Sequence, residues 1–195
     1  IGTKYNKTPV GSIADMTTFS FHPVKTVTGG EGGAVLTNRE DLYEKLLLYR
    51  SHGITKDARF YQKQSHGPWY HEQIDLGYNY RITDMQCALI LSQLDKLALF
   101  AKRRREIVEQ YNAAFRSMPE LFVQEEIAES DTVRHLYILR IVPERLSIDR
   151  KGFFEALGAE NIACNVHYIP VYWHPYYEKL GYEKGLCPNA EKLYN

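Results

Sequence analysis

The chain has 195 residues, of which 44% are hydrophobic, so it is not a disordered protein and is long enough for one large domain or parts of two. Its 24 basic and 24 acidic residues balance, which leaves no positive field to attract nucleic acid or an anionic membrane. The odd number of cysteines, three, argues against a closed disulfide framework, no apolar run approaches the ~18 residues of a membrane span, and we expect no signal peptide at residue 1. We therefore expect a cytoplasmic protein.

A short buried strand is predicted over residues 17–21, which are rich in Thr and Phe and are followed by Pro23. A second apolar run of strand length follows at residues 33–37, and Lys25 stands between the two, ahead of a glycine-rich turn. Burial lowers the pKa of a lysine, so an amine held between buried strands is able to condense with an aldehyde and form a Schiff base. The alternative is that Lys25 is an ordinary solvated loop residue.

The first helix is predicted from apolar residues that recur at helical spacing. Asn38 is placed to cap a helix that starts near Arg39, and Gly53 is its stop signal. Residues 54–76, which follow it, are long, polar and aromatic. A structureless loop of that length is uncommon unless it binds something, and the other interpretation is an arm that crosses between subunits.

A second helical region is predicted from Thr83 or Asp84, either of which is able to cap it. The apolar spacing indicates one long helix, or two joined near residues 94–96, that end before Pro119. We expect its apolar face to be core or subunit interface rather than a ligand site.

The pattern changes in the last third of the chain. Residues 133–142 alternate in the manner of a strand, and Asp149 begins a helix that ends at Gly158. A further strand is expected at residues 161–167, followed by a short helix around Tyr177. This order of strand, helix and strand is typical of a small α/β domain.

Four segments carry a resemblance to a known family. They are Ser20-Phe21-His22-Pro23-Val24-Lys25 with Gly-Glu-Gly-Gly at residues 30–33, the run at residues 76–89, His-Gly-Pro-Trp-Tyr at residues 66–70, and His-Tyr-Ile-Pro-Val at residues 167–171. The whole chain resembles the DegT/DnrJ/EryC1/StrS family of sugar aminotransferases, which depend on pyridoxal 5'-phosphate (PLP). Within that family it is most similar to the C4 transaminases that make UDP-4-amino-4,6-dideoxy-N-acetyl-β-L-altrosamine, on the pseudaminic acid route.

The resemblance implies an α/β fold, the PLP-dependent transferase fold type I of aspartate aminotransferase. It implies that residues 1–118 are the C-terminal part of a large PLP-binding domain and residues 119–195 a truncated small α/β domain. We expect a fragment, since Ile1 is not an initiator methionine and Asn195 ends a helix-like run. The partner of the cofactor's pyridine nitrogen and a ring-stacking side chain would then lie outside the chain, so the fragment alone is expected to be inactive and to bind PLP weakly or not at all.

The same resemblance assigns roles to individual residues. Lys25 is expected to be the catalytic residue that holds PLP as a Schiff base and then shuttles a proton. The hydroxyl of Ser20 is expected to bind the PLP phosphate, which Asn79 reaches from the neighbouring subunit of a homodimer. Glu31 is expected to order the lysine loop by bonding backbone amides. The residues expected on the substrate side are His22, Arg81, His167 and Tyr168.

From the residues alone, other interpretations stay open. Ser20 fits equally a strand serine bonded to backbone, His22 a turn histidine held by packing, and Arg81 a member of a structural ion pair. The paired histidines of the chain lack a carboxylate at ligand spacing, so no metal site is predicted.

The implied reaction is the transfer of an amino group from glutamate to C4 of a UDP-linked 4-keto-6-deoxy-N-acetyl sugar, with 2-oxoglutarate as the keto acid. The alternatives are an aminotransferase that acts at C3 or on another keto sugar, such as a dTDP-linked one, and a non-catalytic dimerisation or regulatory module on the same fold. A dehydratase branch of the family carries histidine where Lys25 stands, so the lysine argues against that chemistry. No nucleic-acid or membrane partner is expected.

Overall fold

The strands pair into four small sheets, and most strands are only two or three residues long. The computed structural model describes all 195 residues, which divide into two units, Ile1–Arg140 and Ile141–Asn195. The strands are β1 (Lys4–Tyr5), β2 (Thr8–Pro9), β3 (Thr17–Ser20), β4 (Gly33–Leu36), β5 (Ile54–Thr55), β6 (Glu72–Gln73), β7 (Leu121–Val123), β8 (Ser130–Asp131) and β9 (Leu139–Ile141). The helices are α1 (Glu40–Arg50), α2 (Asp84–Leu94), α3 (Leu97–Phe115), α4 (Arg150–Ala159), α5 (Pro175–Glu178) and α6 (Pro188–Tyr194).

The two strands around the lysine form an antiparallel pair, β3 with β4, in a register that places Ser20 opposite Gly33. The predicted strands are therefore confirmed, with ends that differ by one residue. Their predicted burial is wrong, because Phe19 is only half-buried and Val35 and Leu36 are each 43% exposed. Burial of a strand comes from layers packed on the faces of its sheet, and pairing two strands does not supply it.

The lysine turn is fixed by a small hydrophobic core. Phe21, which follows β3, is buried against Val27 of the turn and Ile90 of α2, and Val27 has no exposed surface. Side chains that are partly buried against this cluster are Ile1, Ala34, Ile82 and Leu97. The core therefore holds the turn between β3 and β4 against α2 at Ile90.

The predicted helices of the first unit are confirmed, but one predicted cap is not. The N-cap position of α1 is held by Arg39 and not by Asn38. The Arg39 side chain makes no hydrogen bond to the first turn of the helix backbone, and its Nη2 donates to the Asp41 carboxylate at 2.7 Å. Thr83 caps α2 in a capping box with Gln86, in which each side chain bonds the other's backbone N–H. The break between α2 and α3 falls at residues 95–96, as predicted for two joined helices.

The segment at residues 54–76 is less irregular than a structureless loop, because its two ends pair as β5 and β6. Gly53 and Gly77 face each other just outside this pair, and a Cβ added to either would overlap the backbone of the other segment. We call residues 54–76 the arm. Its base is thus a close backbone crossing that only glycine permits at these two positions.

In the second unit, the predicted helix is confirmed and the predicted strand is wrong. The carboxylate of Asp149 accepts the Gly152 N–H at 2.8 Å and caps α4. Residues 161–167 form no strand and are mostly exposed, because no other segment pairs with them. Of the strand predicted at residues 133–142, most of which belongs to the first unit, only β9 forms. The expected domain boundary near residue 118 stays a prediction.

None of the helices is long and apolar enough to cross a lipid bilayer.

Candidate active site

Lys25 lies in the turn that follows β3, where its backbone N–H donates to the His22 carbonyl at 3.0 Å. The residue is half-buried. Its Nζ lies 3.4 Å from Nε2 of His135, a residue 110 positions further along the chain. The amine is therefore held against a second titratable group at the end of a strand.

Ser20 is the last residue of β3, five positions before Lys25. Its Oγ accepts the backbone N–H of His22 at 3.3 Å. No group of the chain accepts the hydroxyl hydrogen, so the Ser20 hydroxyl is free to donate to an anion. Ser20 is therefore bonded to backbone, as one interpretation of the sequence has it, and its O–H group remains available as a hydrogen-bond donor.

His22 and Glu31 face each other across the lysine turn, with 3.9 Å between Nε2 and Oε1. Both side chains are exposed, so the electrostatic attraction between them is weak. The expectation that the Glu31 carboxylate bonds backbone amides is wrong, because its only side-chain contact is with His22. Instead its backbone carbonyl accepts a hydrogen bond from Nε2 of Gln86 at 3.0 Å, which ties the turn to α2.

The glycine-rich turn is closed by bonds to one carbonyl. The Phe21 carbonyl accepts from the Thr28 hydroxyl and from the Gly29 N–H, both at 3.0 Å. A Cβ on Gly29 would lie 2.8 Å from Cδ1 of Ile90, and one on Gly32 would lie 2.9 Å from Cδ1 of Ile82. A larger residue at either position would therefore have to displace one of these isoleucine side chains.

Asn79 lies beyond the base of the arm, in an isolated antiparallel bridge with Ser51. Its side chain is exposed and bonds to nothing in this chain. Tyr78 and Tyr80, on either side, stack on each other at 4.7 Å between ring centroids. The amide of Asn79 is therefore exposed, on backbone that is bridged to Ser51.

Arg81 makes no ion pair with another residue of this chain. Its Nη2 lies 3.4 Å from Nε2 of His52, and the side chain is exposed. The other two residues expected on the substrate side, His167 and Tyr168, lie in the second unit. Their rings are 5.7 Å apart at 62°, and both residues are exposed.

His135 was missed by the sequence analysis, because within a strand-like run it shows no signal that links it to a lysine 110 residues away. The residues around it are held by side-chain hydrogen bonds on both sides. These bonds join the Val133 N–H to Thr3 Oγ1 at 3.0 Å, Arg104 Nη1 to the Arg134 carbonyl at 3.1 Å, and the Tyr137 hydroxyl to Asn112 Oδ1 at 2.9 Å.

Within the arm, a buried carboxylate organises the chain. Glu72 is 9% exposed and accepts the Gln62 and Lys63 N–H groups at 2.6 and 2.8 Å and the Tyr70 hydroxyl at 2.6 Å. These bonds, that of Gln62 first, lower the pKa of Glu72. The bond to Glu72 raises the pKa of Tyr70 to about 12. The Glu72 carboxylate therefore holds residues 62, 63 and 70 of the arm together.

The site thus combines a half-buried primary amine, a free hydroxyl donor and exposed polar side chains, which suits imine chemistry on an anionic ligand. No three His, Cys, Asp or Glu side chains are placed to hold a metal ion.

Comparison with known proteins gives consistent similarities. The profile of the DegT/DnrJ/EryC1/StrS aminotransferase family matches residues 1–195. The UDP-4-amino-4,6-dideoxy-N-acetyl-beta-L-altrosamine transaminase of Campylobacter jejuni is 38% identical over 194 residues, which cover 100% of this chain and 49% of that protein. The chain spans about half the length of the curated relatives it matches.

Solved structures agree with the sequence relatives. Helicobacter pylori PseC, an aminotransferase involved in the biosynthesis of pseudoaminic acid, is similar with a TM-score of 0.85 at 31% identity, over 99% of this chain and 49% of that one. Spr1654 of Streptococcus pneumoniae, in a PLP form, has a TM-score of 0.85 at 29% identity, over 100% of this chain and 48% of that one. These similarities confirm the predicted α/β class and fold type I, and the resemblance to transaminases of the pseudaminic acid route.

Proposed function

Because the chain belongs to the DegT/DnrJ/EryC1/StrS aminotransferase family, we propose that the protein is a PLP-dependent sugar aminotransferase. We propose glutamate as the amino donor and C4 of a UDP-linked 4-keto-6-deoxy-N-acetyl sugar as the acceptor. The observation that carries this proposal is the Lys25 amine, held half-buried at the end of β3 beside a hydroxyl that is free to donate. The Campylobacter jejuni and Helicobacter pylori transaminases, at 38% and 32% identity, support the choice of sugar.

The residues present fit PLP by the chemistry of their donors. A primary amine is the group that bonds an aldehyde, and Lys25 supplies one that is partly withdrawn from water. A phosphate needs hydrogen-bond donors, and the Ser20 hydroxyl has an unused one. Asn79 offers a further free amide, which we assign to the phosphate in the partner subunit of a homodimer.

In the reaction, Lys25 would hold the cofactor and Ser20 would fix the position of its phosphate. PLP, when bound, supplies the electron sink that allows a proton to leave the substrate carbon. The amine of Lys25 then moves that proton, since a neutral amine beside the reacting carbon is a suitable general base. We place His22, Arg81, His167 and Tyr168 on the substrate side, where they would orient the sugar.

The first experiment tests for PLP at Lys25. The full-length protein is incubated with PLP, reduced with borohydride and digested, and the modified lysine is identified by mass spectrometry. We expect the modification at Lys25 and none in Lys25→Ala, whereas Lys45→Ala, which removes an exposed lysine of α1, should behave like the wild type. Full-length protein that takes up no PLP would favour the non-catalytic module.

A second experiment tests the role of Asn79 across subunits. Lys25→Ala and Asn79→Ala variants, each inactive alone, are mixed and allowed to exchange subunits. A mixed dimer contains one site with both residues intact only if the asparagine acts in the partner's site, so about a quarter of wild-type activity should return. No recovery would mean that Asn79 acts within its own subunit.

The substrate is tested by coupled assays with UDP- and dTDP-linked keto sugars and with several amino donors. We expect the UDP-linked 4-keto sugar and glutamate to give the highest kcat/KM. A clear preference for a 3-keto or dTDP-linked sugar would correct the substrate and leave the aminotransferase proposal intact.

A further inference from the structure

Lys25 has a partner that the proposed function does not use. The 3.4 Å between Lys25 Nζ and His135 Nε2 is at the long end of hydrogen-bonding distances. An ammonium group only donates hydrogen bonds, whereas a neutral imidazole has one acceptor nitrogen. The pair is therefore matched when the proton of the neutral His135 ring is on Nδ1 and Nε2 faces the amine.

The side chain of His135 is exposed, and the position of its backbone is fixed by hydrogen bonds of the neighbouring residues. The peptide groups of Val133 and Arg134, just before it, are bonded to side chains from the start of the chain and from α3. Val133 is buried, with 7% of its surface exposed, and Tyr137, just after His135, is bonded to α3. A chance meeting of two surface side chains would not need a backbone that is fixed on both sides.

We propose, resting on the proposed function, that His135 is a positioning residue for Lys25. It holds the amine at the edge of the site and receives the proton that the ammonium must lose before its nitrogen bonds to the aldehyde carbon of PLP. That one proton passes to Nε2 and then to solvent. The two protons left on the amine nitrogen leave with the aldehyde oxygen as water, so atoms and charges balance and no other reactant is needed.

The test measures how fast Lys25 captures PLP, without any amino donor or sugar present. In the full-length protein freed of PLP, borohydride trapping at timed intervals gives the rate of adduct formation. We expect His135→Ala to slow capture by at least about tenfold. His135→Gln, whose amide oxygen accepts the lysine's hydrogen bond but takes no proton, should lie between Ala and the wild type. The matched control Leu136→Ala, which alters the neighbouring side chain, should capture PLP at the wild-type rate.

A spectroscopic measurement keeps the proposal testable even if a variant is unstable. The ¹⁵N resonances of histidine are recorded for the PLP-free full-length protein at about pH 8, where an ordinary imidazole is neutral. Nε2 of His135 should be unprotonated and should shift in Lys25→Met but not in Lys45→Met. The proposal would be overturned if Nε2 of His135 is protonated, or if its ¹⁵N resonance does not change in Lys25→Met.

The two proposals fail in different ways. If the wild-type protein forms no borohydride-reducible adduct at Lys25, the proposed function itself is wrong. If the wild type captures PLP and His135→Ala captures it within twofold of the same rate, only the role of His135 is refuted. Equal slowing by His135→Ala and Leu136→Ala would also refute it, because the segment rather than the imidazole would then matter.

Discussion

Gly53 at the base of the arm is the residue whose replacement by alanine should destabilise the first unit most. Its φ is +70°, a left-handed conformation that costs an alanine about 1–2 kcal/mol. The new Cβ would also overlap the Asp75 carbonyl, whose carbon and oxygen belong to the backbone and do not rotate away. Overpacking a core costs about 1–3 kcal/mol, so we expect Gly53→Ala to lower the free energy of unfolding by about 2–5 kcal/mol in total.

Two other glycines separate these contributions. Gly30 has φ +82° with no atom within 4 Å of an added Cβ, so Gly30→Ala should lose only the about 1–2 kcal/mol of the left-handed conformation. Gly158 lies in α4 with open space around it, and Gly158→Ala should gain about 0.5–1 kcal/mol of helix propensity. Urea unfolding of the three full-length variants gives the comparison. The reasoning is refuted if Gly53→Ala unfolds no more readily than Gly30→Ala.

Further predictions concern the α2 cap and the arm. Thr83→Ala should cost about 1 kcal/mol by removing the capping box with Gln86, while Thr83→Ser should cost little, as urea unfolding would measure. Because the folded-state pKa of Glu72 is lowered, its stabilising effect is present above the unfolded value of about 4.3 and is lost as pH falls through the folded value. The stability difference between wild type and Glu72→Gln should therefore be full at neutral pH and shrink as the pH falls below about 4.3, and a difference that does not change with pH would contradict this. Absorbance titration should show Tyr70 ionising near pH 12 in the wild type and at lower pH in Glu72→Gln.

Helix caps and helix breaks were predictable from the sequence, because neighbouring residues determine them. The start of α2 was predicted at Thr83 or Asp84 from the capping preference of these residue types, and the structure has the cap at Thr83, in a capping box with Gln86 three residues on. The break between α2 and α3 and the cap of α4 at Asp149 follow from similar short-range signals. These predictions succeeded because the interactions that decide them span only a few residues.

Elements that depend on distant partners were not predictable. Residues 161–167 alternate like a strand, yet a strand forms only where another segment supplies hydrogen bonds, and none does here. The burial expected of β3 and β4 failed for a related reason, since layers from elsewhere decide it. In the site, Lys25 was identified from its own turn, whereas His135 comes from a segment that only the fold brings to it.

The close approach of Gly53 and Gly77 bears on which changes the arm tolerates. Since the two segments of the chain meet backbone to backbone at that point, a change of length or sequence between them should not shift Asn79, which lies just outside the crossing. We therefore expect that exchanging residues 54–76 for the corresponding stretch of a relative leaves the Ser51–Asn79 bridge in place.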